Sequence, residues 1–146
     1  MSIAMDVAHA PPTVFARDYD DGTVRFTFCL EGDRASVEVF GKGTLPGSEA
    51  MIGFLDEAVA TVGAARPFQI YVDLSRVRGA PLRAQWLFGR WFVSHRKYIG
   101  AAAIAGAGPV ERRIASAVCA MARFKTMRFF EHPVDARKWL DQGIAP

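Results

Sequence analysis

Two kinds of hydrophobic pattern alternate along this 146-residue chain, and their order constrains the fold more than any other feature. Residues 23–31 and 36–40 alternate apolar and polar side chains, as strands with one buried face do, and Gly32 and Asp33 between them predict a β-hairpin. The strands that follow are short apolar runs separated by stretches with helical spacing. Such strands are joined by right-handed crossovers and lie parallel. The sequence therefore predicts an α/β fold with a mixed, mostly parallel β-sheet, an N-terminal hairpin and about four helices.

The ends of the predicted elements are marked by capping residues, glycines and prolines. Ser48 is the expected N-cap of a helix that ends at Gly63, and Pro81 is the expected first residue of the next helix. The helices are predicted at 48–62, 81–99, 109–121 and 133–140, and the later strands at 68–74, 101–105 and 127–130. Residues 1–22, which include two prolines and an acidic cluster, are predicted to be a partly ordered arm, and residues 23–146 a single domain.

The charge of the chain is divided between its halves. Residues 1–72 hold 5 Lys and Arg against 10 Asp and Glu, whereas residues 73–146 hold 13 against 5, so net charges of −5 and +8 give the overall +3. Separate acidic and basic surfaces suit self-association or an anionic partner. Scattered solvated charges would give the same counts.

The cellular location is predicted from what the chain lacks. No apolar run reaches the ~20 residues needed to cross a bilayer, and residues 1–12 lack the basic start and apolar core of a secretory signal. Two cysteines do not make a disulfide framework. The sequence thus predicts a reduced, cytoplasmic protein without a transmembrane segment.

Several short motifs resemble those of a known family. The string Tyr71–Val77, a strand that ends in Asp-Leu-Ser-x-Val, resembles the third strand of STAS domains, and His95-Arg96-Lys97, the apolar run 99–106 and residues 129–140 continue the similarity. Over about residues 35–142 the chain resembles the SpoIIAA-like (STAS/SEC14-like) family of small bacterial proteins. The resemblance implies a STAS-type fold, and because the family has no firmly established activity it leaves the function open.

The chain departs from the related anti-sigma factor antagonists at one functional position. In those proteins a serine at the start of the helix after this strand is the phosphorylation switch. The corresponding stretch here, Arg78–Leu82, contains no hydroxyl residue, and Ser75 belongs to the strand-end motif instead. The resemblance therefore implies a domain without the usual phosphorylatable serine.

The chain carries no recognisable catalytic or metal-binding motif. His9, His95 and His132 are far apart in sequence, and neither Cys29 nor Cys119 has a partner at metal-ligand spacing. No phosphate-binding loop, dinucleotide fingerprint or nucleophile elbow is present. The sequence predicts no metal and no cofactor and favours a non-catalytic protein, without excluding catalytic groups from distant positions.

Two loops that leave predicted parallel strands form a candidate site for an anion or another ligand. Ligands collect at the carboxyl ends of parallel strands, and helix N-termini offer unpaired N–H groups there. The candidate residues are Arg76, Arg78, Arg83, Gly106, Gly108, Arg112 and Arg113. The alternatives are that the arginines are solvated or pair with the acidic half, and that the glycines only allow a tight turn.

The helix predicted over 81–99 has more apolar surface than contact with a sheet requires, because a stripe of about 100° suffices. The candidates for an interface or an apolar pocket are Trp86, Leu87, Trp91, His95 and Tyr98. Their surplus surface could lie beneath the hairpin or the arm, form a homodimer seam, line a lipid or small-molecule pocket, or form a partner groove.

The sequence favours a non-catalytic STAS-like interaction or regulatory module that forms a homodimer through the aromatic helix. The alternative is a carrier that holds a small apolar or anionic molecule between that helix and the arginine-bearing loops. The expected partners are a second copy of the chain, an unidentified protein or such a ligand. Nucleic acid is not expected, because the chain lacks a recognition-helix or base-stacking motif.

Overall fold

The structure is a computed structural model and describes residues 12–63, 66–109, 112–113, 116 and 126–142. Within these ranges six strands form one sheet in the order β1-β2-β3-β4-β5-β6, and three helices accompany it. The strands are β1 (Thr13–Asp20), β2 (Val24–Glu31), β3 (Arg34–Gly41), β4 (Phe68–Val77), β5 (Ile99–Ala105) and β6 (Met127–Phe130). The helices are α1 (Leu45–Val62), α2 (Leu82–His95) and α3 (Pro133–Asp141).

The sheet combines an antiparallel and a parallel half. Strands β1, β2 and β3 are antiparallel neighbours, and β3, β4, β5 and β6 are parallel neighbours. The predicted hairpin is confirmed in register, since Glu31 lies opposite Arg34 and Val24 lies opposite Gly41. The predicted mixed α/β sheet with its mostly parallel remainder is confirmed as well.

The first strand corrects the prediction of an arm over residues 1–22. Residues 13–20 of that segment form β1, which pairs along its length with β2. Its inward side chains are Phe15, Arg17 and Tyr19. Phe15 and Tyr19 pack on the larger core, whereas Arg17 stays partly exposed and its guanidinium binds Glu57 Oε2 of α1 over 2.7 Å. The remainder of the predicted arm, residues 1–11, lies outside the described residues.

The start of α1 corrects the prediction of Ser48 as N-cap. The N-cap is Thr44, whose hydroxyl oxygen accepts the Gly47 N–H over 3.0 Å, and Pro46 stands in the first turn. Ser48 lies inside the helix and donates its hydroxyl to the carbonyl of Thr44. The N-cap therefore stands four residues earlier than the apolar spacing indicates.

The later elements follow the predicted order with different ends. The helix predicted over 81–99 ends at His95. Residues 99 and 100 belong to β5, which begins two residues earlier than predicted and pairs in parallel with β4. Most of the helix predicted over 109–121, with Cys119, lies outside the described residues. Its described start has one helical bond, from Arg112 N to Gly108 O over 3.0 Å.

Helices cover the sheet on both faces. On one face α1 and α2 pack on side chains of β2, β3 and β4 such as Phe28, Val37 and Ile70. On the other face α3 places Trp139 and Leu140 over the alanines of β5. Because successive strand residues point to opposite faces, β4 and β5 contribute to both cores. In the described part of the chain, no helix combines the length and hydropathy needed to cross a membrane.

Candidate functional site

An apolar cavity of about 200 Å³ lies between the sheet and the helices α1 and α2. Its walls come from β2, β3 and β4, from the first half of α1 and from the inner side of α2, and its far end reaches the loop after β5. Phe26, Val37, Met51, Val72 and Phe92 are representative wall residues. The cavity is therefore a partly open space beside the larger core, with walls that are mostly hydrocarbon.

Small residues line part of this space. Ala80, Ala84 and Gly89 face the cavity from α2 and the loop before it. Gly43 and Gly47 also border it, but a Cβ at Gly43 would lie 2.8 Å from the Ala80 Cβ and one at Gly47 would lie 2.7 Å from the Val24 Cγ1, so these two glycines allow close packing there. Protein interiors are packed to the density of organic crystals, so the small side chains on α2 leave room that neighbouring side chains fill only by shifting. The inner side of α2 alternates these small residues with large ones.

The cavity has few polar groups in its described lining. Ser48 Oγ donates to Thr44 O over 2.9 Å and is thereby satisfied. Gln85 Nε2 donates to Ala80 O over 3.2 Å, while Gln85 Oε1 is buried and has no hydrogen-bond partner among the described residues. Tyr71 also borders the cavity, but its side chain lies on the other face of the sheet in the core beneath α3, where its hydroxyl accepts Arg137 Nη1 over 3.4 Å. Burial there, more than the nearby Asp73 carboxylate, raises the pKa of the phenol.

The aromatic candidates on α2 lie elsewhere. Trp91 is buried, and its indole N–H donates to Asp56 Oδ1 over 2.7 Å, so it is no part of a free seam. Trp86 is 48% exposed, and Leu87, His95 and Tyr98 are half-buried. Among the described lining residues none of these five appears.

The residues that do line the cavity from α2 were missed at the level of sequence. They are Ala84, Gln85, Phe88, Gly89 and Phe92. The available signal is the spacing of Ala84, Phe88 and Phe92, which places them on one side of a helix. The tryptophans Trp86 and Trp91 lie on other sides of α2, and their larger aromatic surface favours those sides in a reading of the sequence alone.

The two arginine-bearing loops are adjacent in space. A side chain at Gly106 would bring its Cβ within 2.6 Å of the backbone N and Cα of Ser75, so the chain after β5 passes directly beside the end of β4. Gly106 also has φ +74°, a conformation that glycine adopts without strain. Gly106 and Gly108 both line the far end of the cavity.

The predicted arginines are exposed around these loops. Arg76, Arg78, Arg83, Arg112 and Arg113 are all exposed. The Arg76 guanidinium carbon lies 5.9 Å from the Phe40 ring centre, and that of Arg112 lies 5.9 Å from the Phe129 ring centre. The ion pairs formed by described residues do not include these five arginines. The prediction that they bind an anion stays a prediction.

The remaining candidates for chemistry are Cys29 and acidic side chains. Burial, followed by the carboxylates of Glu31 and Asp18, raises the pKa of the Cys29 thiol, which keeps it protonated and weakly nucleophilic. Within the described ranges, no group of three or more His, Cys, Asp or Glu side chains could hold a metal ion.

Comparison with known proteins gives one family match and several structural matches. A family model described as SpoIIAA-like matches residues 34–141. No curated protein matches the chain. A crystal structure of a DUF3478-family protein from Shewanella loihica, described as having a SpoIIAA-like fold, is similar with a TM-score of 0.59 and 23% identity, and the match covers 85% of this chain and 98% of that one.

Two anti-sigma factor antagonists are also similar in structure. One is from Mycobacterium paratuberculosis, with a TM-score of 0.56 and 15% identity over 84% of this chain and 97% of its own. The other is SpoIIAA in its unphosphorylated form, with a TM-score of 0.55 and 10% identity over 89% and 100% of the two chains. At these identities the likeness shows a shared fold, which is the STAS-type fold expected from the sequence.

Proposed function

The chain belongs to the SpoIIAA-like family, and from this premise we propose that it is a non-catalytic binding module that holds a small apolar molecule in the cavity between the sheet, α1 and α2. The resemblance over about residues 35–142 that the sequence indicated is thereby confirmed. Of the two functions considered from the sequence, the small-molecule carrier has the stronger structural support. The cytoplasmic location of the protein remains a prediction.

The observation that carries the proposal is the cavity itself. An apolar cavity of roughly 150 Å³ in another protein stays dry and binds a ligand the size of benzene, and the cavity here measures about 200 Å³. An unfilled volume of this size in a core costs stability, and a ligand that fills it restores the lost contacts.

The chemistry of the lining favours binding over catalysis. Tyr71 is the one titratable residue in the described lining, and its phenol lies on the other face of the sheet against Arg137. Hydrocarbon walls stabilise a ligand in proportion to the apolar area they cover and place no acid or base against it. The ligand therefore remains chemically unchanged.

A cavity-filling variant tests the proposal. We expect Ala84→Leu to block the cavity, because Ala84 is buried in the wall. A fluorescent apolar probe that binds the wild type and is displaced by octane should then no longer bind the variant. The matched control is Ala60→Leu, the same change at an exposed position of α1. Unchanged octane binding by Ala84→Leu, with the wild-type unfolding midpoint retained, would contradict the proposal.

A second function is favoured by the exposed surface of α2. Leu82 and Trp86 are 56% and 48% exposed, and they stand one helical turn apart on the same side. We propose this pair, in place of the buried Trp91, as the seam of the homodimer expected from the sequence. Light scattering tests it: Trp86→Glu should convert a dimer to a monomer, and a monomeric wild type would refute the seam.

The regulatory part of the proposal differs from that of the anti-sigma factor antagonists. The stretch Arg78–Leu82 contains no serine or threonine, so we propose that the domain is not switched by phosphorylation at that position.

The five exposed arginines are proposed to attract an anion to the loops after β4 and β5. Inorganic phosphate should raise the unfolding temperature of the wild type but not of Arg78→Ala, and an equal shift in both would refute the site.

A further inference from the structure

A basic patch with an aromatic centre lies on the face of the sheet opposite α1 and α2. Phe40 of β3 has Arg25 of β2 and Arg76 of β4 opposite it in register. Its neighbour Val39 faces the core beneath the helices, so Phe40 faces the other way. The Arg25 guanidinium carbon lies 4.3 Å from the Phe40 ring centre, and that of Arg76 lies 5.9 Å from it. A guanidinium that stacks on a ring keeps its N–H donors available for an anion.

Two further cations stand at the same end of the sheet. Lys42 follows β3 and Arg78 follows β4, and both are exposed. Arg78 N donates to Gly41 O over 2.9 Å and Lys42 N donates to Thr23 O over 3.0 Å, so the chain segments stay side by side past the strand ends. The group is called the Phe40 patch and consists of Arg25, Phe40, Lys42, Arg76 and Arg78.

The positive charge of the Phe40 patch is not neutralised by ion pairs. The ion pairs formed by described residues include none of its four cations. Asp20 lies opposite Arg25 in register, but its Oδ1 accepts the Gly22 N–H over 2.8 Å. Like charges that lie close together repel one another, and an anionic group placed among them removes that repulsion. The patch is therefore complementary to an anionic partner.

An acidic row on the same face limits the kind of anion. Asp18, Glu38 and Asp73 lie in one row across β1, β3 and β4, with Thr27 of β2 between the first two. The row is about 7 Å from Phe40, the length of two strand residues. A long polyanion that crosses the face would be repelled by these carboxylates, whereas a short acidic segment can avoid them. The Arg25 guanidinium also covers the Phe40 ring, on which a nucleobase would otherwise stack.

We propose that the Phe40 patch binds a short acidic segment of a protein partner. Arg25 and Arg76 are two strand spacings apart, about 9–10 Å, and carboxylates on alternate residues of an extended segment are about 7 Å apart, so one segment can pair with both. Arginine and aromatic residues are typical of the centres of protein interfaces. Arg25, Phe40 and Lys42 lie outside the proposed anion site. For Arg76 and Arg78 the inference rests on that site and names its partner.

A labelled acidic peptide tests the inference. The full-length protein is titrated into fluorescein-labelled hexaglutamate, with hexaglutamine as the neutral counterpart, and binding is followed by fluorescence anisotropy. We expect hexaglutamate to bind, more weakly as salt is added, and hexaglutamine not to bind. Arg25→Glu and Arg76→Glu should each weaken hexaglutamate binding at least about tenfold, the equivalent of one hydrogen bond between charged groups.

The matched control is Arg90→Glu, the same change of charge at an exposed position of α2, which should leave hexaglutamate binding nearly unchanged. Phe40→Leu keeps an apolar side chain and every charge of the patch but removes the ring on which the guanidinium groups stack. It should weaken binding about threefold. Urea unfolding midpoints establish that each variant is folded.

The outcomes separate this inference from the proposed anion site. Hexaglutamate binding that Arg25→Glu and Arg76→Glu weaken, and Arg90→Glu does not, supports the inference. Absence of binding to the wild type, or an equal loss in all three variants, overturns it. If phosphate stabilises the wild type but not Arg78→Ala, and hexaglutamate does not bind, the anion site stands and this inference alone is wrong. If hexaglutamate binds as expected and phosphate has no effect, the phosphate prediction alone fails.

Other occupants of the patch give distinct results. Tighter binding of an oligothymidylate of equal charge, or of anionic lipid vesicles, would overturn the inference in favour of those polyanions. Self-association of the wild type that Arg25→Glu abolishes and Arg90→Glu retains would overturn it in favour of a second copy of the chain.

Discussion

The indole N–H of Trp91 donates a hydrogen bond to Asp56 Oδ1 over 2.7 Å, and this bond joins α2 to α1. The His95 ring stacks on the indole with 4.3 Å between ring centres, and His95 Nε2 lies 3.6 Å from the same carboxylate oxygen. Because His95 Nδ1 is 2.8 Å from the carbonyl of Trp91, that nitrogen carries a proton. The aromatic surface of α2 is thus partly used between the two helices.

This relationship gives the first prediction. Asp56→Ala leaves the buried indole N–H without its acceptor, and we expect it to lower the free energy of unfolding by about 1–2 kcal/mol in urea titrations. A double-mutant cycle with Trp91→Phe should show a coupling of about 1 kcal/mol. The control is Glu57→Ala, whose ion pair with Arg17 is 41% exposed on both sides and is expected to contribute at most about 1 kcal/mol. Strictly additive effects at Asp56 and Trp91 would contradict the role of the bond.

The same helix shows how far sequence patterns determine the placement of side chains. An excess of aromatic residues over 81–99 was correctly recognised, and the existence of the helix was predicted. The side of the helix that faces the sheet could not be predicted, because polar residues do not fill any one side. A hydrophobic pattern also treats Trp86 and Trp91 alike, since both are tryptophans. Trp91 is buried because α1, which supplies Asp56, packs against it. This contact joins two helices that are distant in sequence, so a local pattern does not contain it.

The second prediction concerns the turn between β1 and β2. Asp21 accepts the hydroxyl of Thr44 over 2.6 Å and the backbone N–H groups of Thr23 and Val24, and these bonds, that of Thr44 first, hold the pKa of its carboxyl well below its usual range. A lowered pKa in the folded state contributes stability above the unfolded-state pKa, and the contribution is lost as the pH falls. Asp21→Asn should therefore be less stable than the wild type at pH 7.

Thermal unfolding as a function of pH provides the measurement. The difference between Asp21→Asn and the wild type should shrink as the pH falls below the unfolded-state value of about 4. The matched control is Asp20→Asn, since Asp20 in the same turn accepts the Gly22 N–H but, among the described residues, does not bond to Thr44 or α1. A difference between Asp21→Asn and the wild type that is constant with pH would rule out the carboxylate as its source.

Strand β1 was missed for a reason that lies in Arg17. An inward-facing strand pattern of Phe15, Arg17 and Tyr19 has a charge at its centre, and the acidic residues around it are typical of a loop. In the folded domain the Arg17 side chain stays 41% exposed and its guanidinium pairs with Glu57, so the charge does not have to be buried. Strands β2, β3 and β6 have no such interruption, and they were predicted within two residues of their observed ends.

The third prediction compares two glycines. At Gly106, with φ +74°, a Cβ would lie 2.6 Å from backbone atoms of Ser75, so Gly106→Ala should lower the free energy of unfolding by at least about 2 kcal/mol. At Gly53 in α1 a Cβ meets nothing within 4 Å, so Gly53→Ala should raise it by about 0.5–1 kcal/mol. Urea unfolding of both variants checks the contrast. Equal effects would show that the contact between the end of β4 and the loop after β5 is unimportant.

The cavity could not be found from the sequence in the same way as the strands. It lies where residues from three strands, α1 and α2 meet on one face of the sheet, and no single segment encodes that arrangement. Gln85 is likewise ordinary as a residue in a helix. Its unpaired oxygen becomes visible only once the carbonyl of Ala80 is known to bind its amide nitrogen.

The last prediction concerns the reactivity of Cys29 in β2. Burial, and then the negative charges of Glu31 and Asp18, raise the pKa of its thiol, so in the folded protein the thiolate forms only at a higher pH than in an unstructured chain. Cys119→Ser leaves Cys29 as the remaining cysteine, and its alkylation by iodoacetamide should be slower in buffer than in urea at pH 8. Glu31→Gln removes one of the charges and should speed the folded-state reaction. A folded protein that reacts as fast as the unfolded chain at every pH would show that the strand does not protect this thiol.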